Sequence, residues 1–395
     1  MALGRVQRAI LMGSALSIAI GQSLVFAILA PLGREVNLSE IQITSIIAIS
    51  ALVFGVVSPK WGRYSDRAGR KKVILIGLLG YSVGTVVFAS VFQAGLMGLV
   101  TGTTLYLLAL VFRCGQSSIM SATGPAATAY AADLTSPDQR IGAMAQMGAA
   151  HSMGTILGPA VSGALATFGL LAPLFFAGVL TAVAGIVTAI KLPKIPVVAL
   201  GSHHPSRRLR YNDPRVVRFL LAAVGLFTGF SGIQQTLGFS LQDRLQLSGI
   251  ETAQMTGGAL MISAIFAFLA QLLLVQRLNL KPEQFVYMGI GSLAMAAIFV
   301  GSYEEFWVLG FGMAFMGTGL GVAMPSISAA ASLAVEPEEQ GAVAGLVSSC
   351  PAIGFVTGPV IAGFLYQVNP VYPSMFSGVV FILLFGTMWF SRKPS

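Results

Sequence analysis

Polar side chains inside long apolar runs are the residues of this chain that could do chemistry. Arg113, Gln116 and His151 lie in such runs, and Thr155 follows His151 by about one helical turn. An arginine in an apolar medium is costly unless it faces water, a partner or a ligand. Arg113 is therefore expected to line a cavity, where a guanidinium binds anions, or to form a structural ion pair. His151 could carry a proton near neutral pH, or it could be a hydrogen-bonded packing residue.

Neutral polar groups form a second set. Ser231 and Gln235 are one helical turn apart in a later run, and Gln22 lies in the first run. These side chains could donate hydrogen bonds to a ligand without adding charge. All 14 acidic residues, by contrast, fall in loops or at helix ends, and Glu35 is at the outer end of the first run. A cavity that contains Arg113 and no carboxylate at membrane depth should have a positive potential that favours anions.

The composition places these residues in a membrane protein. Of the 395 residues, 55% are hydrophobic and only 9% are charged, whereas soluble domains have roughly 25% charged residues. The net charge of +9 lies in short loops without interleaved aromatic residues, so nucleic acid is not an expected partner. The two cysteines, Cys114 and Cys350, lie in different halves and offer neither a disulfide framework nor a metal cluster. No metal or other cofactor is expected.

Twelve apolar runs are long enough to cross a bilayer as helices, so the sequence predicts an all-α integral membrane fold. All Lys and Arg residues except Arg34, Arg244 and Arg113 fall on one side of these runs. The positive-inside rule then predicts a protein of the cytoplasmic (inner) membrane with both termini in the cytoplasm. The predicted spans lie near residues 8–32, 42–60, 73–93, 99–131, 139–167, 171–191, 215–242, 252–276, 284–302, 305–334, 340–367 and 371–391.

The chain repeats itself. Gly154, Gly158, Pro159 and Gly163 recur 200 positions later as Gly354, Gly358, Pro359 and Gly363. The segment Asn37-Leu38-Ser39 likewise recurs as Gln246-Leu247-Ser248. The repeat predicts a six-helix bundle over residues 1–193, a cytoplasmic linker over 194–214 and a second six-helix bundle over 215–395. Proline weakens a helix where bending occurs, so the expected hinges are Gly154, Gly158, Pro159, Gly358 and Pro359.

One segment, Gly62 to Lys72, is far more charged than any other. Gly62 and Gly69 would allow a tight turn, and Asp66 would cap the helix that follows. The order G-x-x-x-D-R-x-G-R-K-K resembles the loop between the second and third helices of major facilitator superfamily transporters. The resemblance implies a gating segment made of Gly62, Asp66, Arg67, Gly69 and Arg70. Arg67 or Arg70 would reach acids such as Asp133 or Glu338.

Two further motifs resemble those of drug and proton antiporters in that superfamily. Arg113-Cys114-Gly115-Gln116 resembles the R-x-x-Q element of helix four, and Gly154-x-x-x-Gly158-Pro159 resembles the helix-five signature of exporters. The resemblance implies alternating access driven by the proton gradient, with Arg113, His151 and Glu35 as the candidates for proton coupling.

The expected function is therefore proton-coupled export of a polar anionic small molecule, such as a carboxylate siderophore or an organic acid. The alternative is a multidrug efflux pump for lipophilic compounds, because the Phe-rich and Met-rich spans suit either substrate. An enzyme is not expected, since the spans contain none of the common catalytic motifs. A monomer surrounded by membrane lipid is expected.

Overall fold

The computed structural model describes residues 4–135, 137–194, 209–278, 280–336 and 339–390. Within these residues the chain is helical, with thirteen α-helices, a 3₁₀ turn at 166–168 and a π-helical turn at 271–275. The helices are α1 (Arg5–Glu35), α2 (Glu40–Ala68), α3 (Arg70–Leu96), α4 (Gly102–Met120), α5 (Thr123–Asp133), α6 (Pro137–Leu165), α7 (Ala172–Lys191), α8 (Val217–Leu245), α9 (Gly249–Ala270), α10 (Pro282–Ser302), α11 (Phe306–Leu333), α12 (Gln340–Val368) and α13 (Tyr372–Phe390).

The helices have the lengths and composition of membrane spans. In the described part of the chain, ten helical segments are long and apolar enough to cross a bilayer, and Tyr372–Met388 is a shorter apolar helix. Helix α6, with 29 residues, occupies the place of the predicted fifth span. The sequence-based prediction of an all-helical membrane fold is confirmed.

The fourth predicted span, 99–131, corresponds to one apolar segment, Gly102–Asp133, which consists of two helices. Helix α4 ends at Met120, and α5 begins at Thr123 after a turn at Ser121 and Ala122. The cause is Pro125, whose ring would clash with the carbonyl of Ser121 in a continuous helix. Its repeat partner Pro325 stays inside the unbroken helix α11, so the two halves of the sequence differ here.

The charged segment is mostly helical, which corrects the expectation of a turn with two glycines. Gly62 lies inside α2, and only Gly69, at φ 91°, joins α2 to α3. Asp66 lies in the last turn of α2, and α3 has no side-chain cap, so the predicted capping role is wrong. The reason is that a single left-handed glycine is enough to end one helix and start the next.

The same turn occurs at two corresponding positions of the predicted repeat. Asn37 and Gln246, at φ 57° and 52°, are the described non-glycine residues with positive φ. Two residues later, Ser39 accepts a hydrogen bond from the backbone of Gln42, and Ser248 accepts one from the backbone of Glu251. Corresponding helices α2 and α9 thus begin with the same local geometry.

The chain divides into two compact units, residues 1–200 with 247–258 and residues 201–246 with 259–395. In the first unit α1 is the most buried spanning helix and packs against α6 and α7. In the second unit α8 is the most buried spanning helix, and it packs against α12 and α13. Of the predicted linker 194–214, residues 195–208 lie outside the described part of the chain.

Candidate functional site

Arg113 lies in α4 and points into the first unit, where its side chain is 5% exposed. Its Nη1 donates a 2.7 Å hydrogen bond to Oε1 of Gln116, and Nε2 of Gln116 donates a 2.5 Å bond to Oγ1 of Thr85 on α3. The guanidinium also lies over the ring of Phe88, 5.6 Å from its centroid. Helices α3 and α4 therefore hold the cation through hydrogen bonds and a cation–π contact.

The charge of Arg113 has no carboxylate beside it among the described residues. Its Nε and the hydroxyl of Tyr81 are both buried without a well-formed hydrogen bond, although the hydroxyl lies close to the guanidinium. Tyr81 in turn abuts α1, because a Cβ placed on Gly21 would lie 2.7 Å from that hydroxyl. The arginine is thus held by α3 and α4, with Tyr81 between it and α1, and among the described residues it does not form the ion pair that the sequence allowed as one alternative.

Other predicted site residues of the first unit are more open. His151 and Thr155 are exposed on α6, and Gln22 is half-buried on α1. The hydroxyl of Thr155 donates to the carbonyl of Ser152. Within the described residues, neither His151 nor Gln22 makes a side-chain hydrogen bond. The interpretation of His151 as a hydrogen-bonded packing residue therefore has no partner in this part of the structure. Glu35 is exposed at the end of α1.

In the second unit the polar residues of α8, which include the predicted Ser231 and Gln235, fall into two groups. Ser231 is fully buried and donates a 2.9 Å hydrogen bond to the carbonyl of Gly354 on α12. The hydroxyl of Thr228 forms a hydrogen bond with the hydroxyl of Thr357, which is also on α12. Gln235 is 7% exposed, and among the described residues neither its Nε2 nor Oε1 of Gln234 has a hydrogen-bond partner. Ser231 joins two helices, whereas the two amides keep unused hydrogen-bonding capacity.

The predicted hinge glycines Gly154, Gly158 and Gly358 lie at close contacts between two helices. A Cβ on Gly158 would meet Ser23 and lie 2.8 Å from the carbonyl oxygen of Ile20 on α1, and Gly154 is equally close to α1. In the second unit, Gly358 faces Ser231 and Thr228 on α8 in the same way. Pro159 and Pro359 lie inside continuous helices.

Sequence reasoning missed Ser23, which donates a 3.2 Å hydrogen bond to the carbonyl of Gly154. This bond corresponds to the one between Ser231 and Gly354, so aligning the two halves through their serines could have found it. Sequence reasoning also missed the surroundings of Arg113. The signal was available, because Tyr81, Thr85 and Phe88 recur at steps of four and three and so share one face of α3.

The charged end of α2 forms an ion cluster centred on Arg70. Its Nε donates to Asp133 over 3.1 Å, its Nη1 donates to Ser65, and its guanidinium pairs with Asp66. The contact with Asp133 is the one that the resemblance implied. Arg67 is exposed and makes no ion pair with the described residues. Glu338, the other expected acid, lies outside the described residues.

The second unit has an ion cluster of its own before α8. Arg215 donates to Asp213 and to Glu339, each over 2.8 Å. Glu339 is 5% exposed. Hydrogen bonds from Arg215 lower the pKa of Asp213, because they favour its ionised form. The described residues contain no group of three or more His, Cys, Asp or Glu side chains that could hold a metal.

Comparison with known proteins gives the family. The family model described as Major Facilitator Superfamily matches residues 11–350 and 286–395. The chain belongs to the major facilitator superfamily. It is similar to "Multidrug resistance protein 2" of Bacillus subtilis, with 27% identity over 95% of this chain and 92% of that protein. It is also similar to "Tetracycline resistance protein, class C" of Escherichia coli, with 26% identity over 95% of this chain and 92% of that protein.

Solved structures of the superfamily share the fold. A bacterial homologue of the human lysosomal transporter Spinster aligns with a TM-score of 0.74 and 15% identity, over 97% of this chain and 95% of that one. As a member of the superfamily, the chain is an integral membrane secondary transporter and not an enzyme. Transporters of the superfamily need no cofactor. The geometry around Arg113 then bears on which solutes the chain could carry.

Proposed function

We propose that this transporter exports lipophilic small molecules across the cytoplasmic membrane and that proton entry drives the export. The observation that carries the proposal is the burial of Arg113. A binding site for anions needs a cation that the solute can reach. Arg113 is 5% exposed, and its Nη1 is already bonded to Gln116. The arginine on which the anionic-substrate hypothesis relied is thus held by neighbouring helices.

Apart from His151, the polar groups of the first unit that remain open at the predicted site are neutral. Gln22 is an amide with hydrogen-bonding capacity left over among the described residues, and Thr155 is an exposed hydroxyl. A few such groups among apolar walls are typical of sites for drug-sized lipophilic ligands. The two relatives described above are named for resistance to drugs and to tetracycline, and each aligns with more than nine-tenths of this chain. These names favour export over uptake.

His151 is our candidate for the proton-coupling group. Its imidazole is exposed on α6 and makes no hydrogen bond to the described residues. Histidine is the side chain whose charge changes most readily near neutral pH. Arg113 supports the site by position, since arginine does not release its proton in this range.

The proposed transport cycle is rocking of residues 1–193 against residues 215–395 around the linker, with both termini in the cytoplasm. The ion cluster of Arg70 with Asp66 and Asp133 supports a gating role for the end of α2. Ion pairs of this kind contribute at most about 1 kcal/mol each. They bias the transport cycle only to the extent that they break in one of its two states. We propose that the working unit is a monomer.

Transport by proteoliposomes that contain the purified protein tests the proposal. We expect an imposed pH gradient to drive export of a lipophilic dye such as ethidium, and we expect no movement of citrate. His151→Gln should remove the pH dependence, whereas Ser152→Ala at the neighbouring exposed position should keep it. Transport of citrate without transport of the dye would restore the anionic-substrate hypothesis and contradict this one.

A further inference from the structure

A groove lies between α1 and α7 on the surface of the first unit, with a volume of about 550 Å³. Helix α1 packs against both α6 and α7, but α6 and α7 scarcely touch each other. Gly13 lies at the groove, and no heavy atom lies within 4 Å of a Cβ placed on it. Because Gly13 has no side chain, the groove is open at this point.

The groove has the length of one lipid leaflet. Its α7 wall runs from Leu180 to Lys191, which is about 16 Å at the rise of an α-helix. Half of the hydrocarbon core of a bilayer is about 15 Å thick. One acyl chain of a lipid in the leaflet at the Lys191 end would therefore fill the groove from end to end.

The walls suit a hydrocarbon chain. Val6, Val183 and Val187 line the groove and are 64%, 52% and 41% exposed. The hydroxyls of Ser14 and Ser17, which also border it, donate to carbonyls of α1 itself. These hydroxyl protons are already used, so the groove walls favour an apolar occupant.

The mouth of the groove is basic. Lys191, the last residue of α7, is exposed and makes no ion pair with the described residues. The ammonium of Lys71 donates a 2.7 Å bond to the carbonyl of Ala189 in the same last turn of α7, and Arg5 begins α1 at this end. A phosphate at this level would therefore lie in a basic region, and the described residues that line the groove include no acidic side chain.

We propose that the groove binds one acyl chain of an anionic phospholipid and that Lys191 contacts the phosphate of the same lipid. The site is separate from the residues of the proposed transport function and is independent of the direction of transport. Its charge selects anionic over zwitterionic lipids, and its shape selects a single chain.

Native mass spectrometry of delipidated protein, titrated with phosphatidylglycerol or with phosphatidylcholine of the same chains, tests the proposal. We expect one phosphatidylglycerol molecule to be retained. Gly13→Phe should abolish its retention by filling the groove, while Gly386→Phe, at an equally open position on α13, should not. Lys191→Gln should weaken phosphatidylglycerol binding about fivefold and leave phosphatidylcholine binding unchanged. Lys281→Gln is the matched control.

The design separates the proposal from its alternatives. Ala184→Phe fills the groove from α7, so a folding defect of Gly13→Phe would not hide the result. Retention of phosphatidylglycerol by both filled variants at the wild-type level would overturn the proposal. Equal affinity of Lys191→Gln and wild type for phosphatidylglycerol would overturn it as well. Loss of ethidium binding with unchanged lipid binding in the filled variants would assign the groove to the transported solute instead.

Discussion

Arg113 and Gln116 are joined by a 2.7 Å hydrogen bond within α4, and Gln116 extends the connection to Thr85 on α3. All three side chains are buried. A cation inside a membrane protein thus depends on neutral partners from two helices. Because these partners hold the guanidinium in one orientation, the network links the packing of α3 and α4 to the position of the charge.

The first prediction concerns this network. Gln116→Leu should lower the free energy of unfolding by about 1–3 kcal/mol, because it leaves a buried donor of Arg113 and the hydroxyl of Thr85 without their partner. Thr85→Val should lower the free energy of unfolding by less than Gln116→Leu does. The double variant should be less destabilised than the sum of the single changes, since both remove the same bond. Thermal unfolding of the four proteins in detergent measures the coupling, and additive effects would contradict the network.

The second prediction concerns the close approach of α8 and α12. Gly358→Ala should strongly destabilise the protein, because the added Cβ would collide with the carbonyl oxygen of Thr228 and the hydroxyl of Ser231. Overpacking of this kind typically costs about 1–3 kcal/mol. Gly345→Ala on the same helix has open space around it and should be neutral or slightly stabilising. The melting temperatures of the two variants should be compared. Equal melting temperatures would exclude the close contact of Gly358 with α8.

The third prediction separates the two glycines of the charged segment. Gly69→Ala should be destabilising by about 1–3 kcal/mol, because the backbone there has φ 91° and ψ 135°. Gly62→Ala should be tolerated, since it lies in α2 and its Cβ would make ordinary contact with Pro125 at 3.6 Å. Thermal unfolding and dye export should both show the difference. A severe defect in Gly62→Ala alone would instead favour a turn at Gly62.

The fourth prediction is a pH dependence. Arg215 lowers the pKa of Asp213 in the folded protein from its ordinary value of 3.8. The stabilisation is therefore fully present above that value, and it is lost as the pH falls through the lowered pKa. Asp213→Asn should reduce the melting temperature at about pH 7, and its difference from wild type should shrink towards about pH 3.

Glu304→Gln is the control for that measurement, because Glu304 is exposed and makes no ion pair with the described residues. Its melting curve should follow the wild type at both pH values. A difference between Asp213→Asn and wild type that stays constant with pH would show that the ion pair with Arg215 does not contribute.

Much of the fold follows from local properties of the sequence. The apolar runs near 8–32 and 42–60 match α1 and the first part of α2, because helix length in a bilayer is set by hydrocarbon thickness. The residues at which each helix ends were less predictable. Helix α2 continues through the charges to Ala68, and the span predicted over 99–131 breaks near Ser121. A charge ends the membrane segment but does not end a helix.

The direction in which each polar side chain points could not be predicted in the same way. Arg113 and Ser231 were expected to face a cavity, and in the structure they bond to residues of packed helices. In water, the apolar face of a helix identifies the side that is buried. In a bilayer, lipid and the protein interior are equally apolar, so this signal is lost.

The sequence by itself determined that this chain is a helical membrane protein with a duplicated architecture, a charged connection after α2 and an arginine at membrane depth. These features depend on the length of apolar runs and on the position of charges along the chain. Only the tertiary structure decided that Gln116 and Thr85 hold Arg113, that Gly158 and Gly358 form helix contacts, and that a groove opens between α1 and α7. Those features depend on how each helix is rotated against its neighbours, and that rotation is set by close packing between residues far apart in the chain.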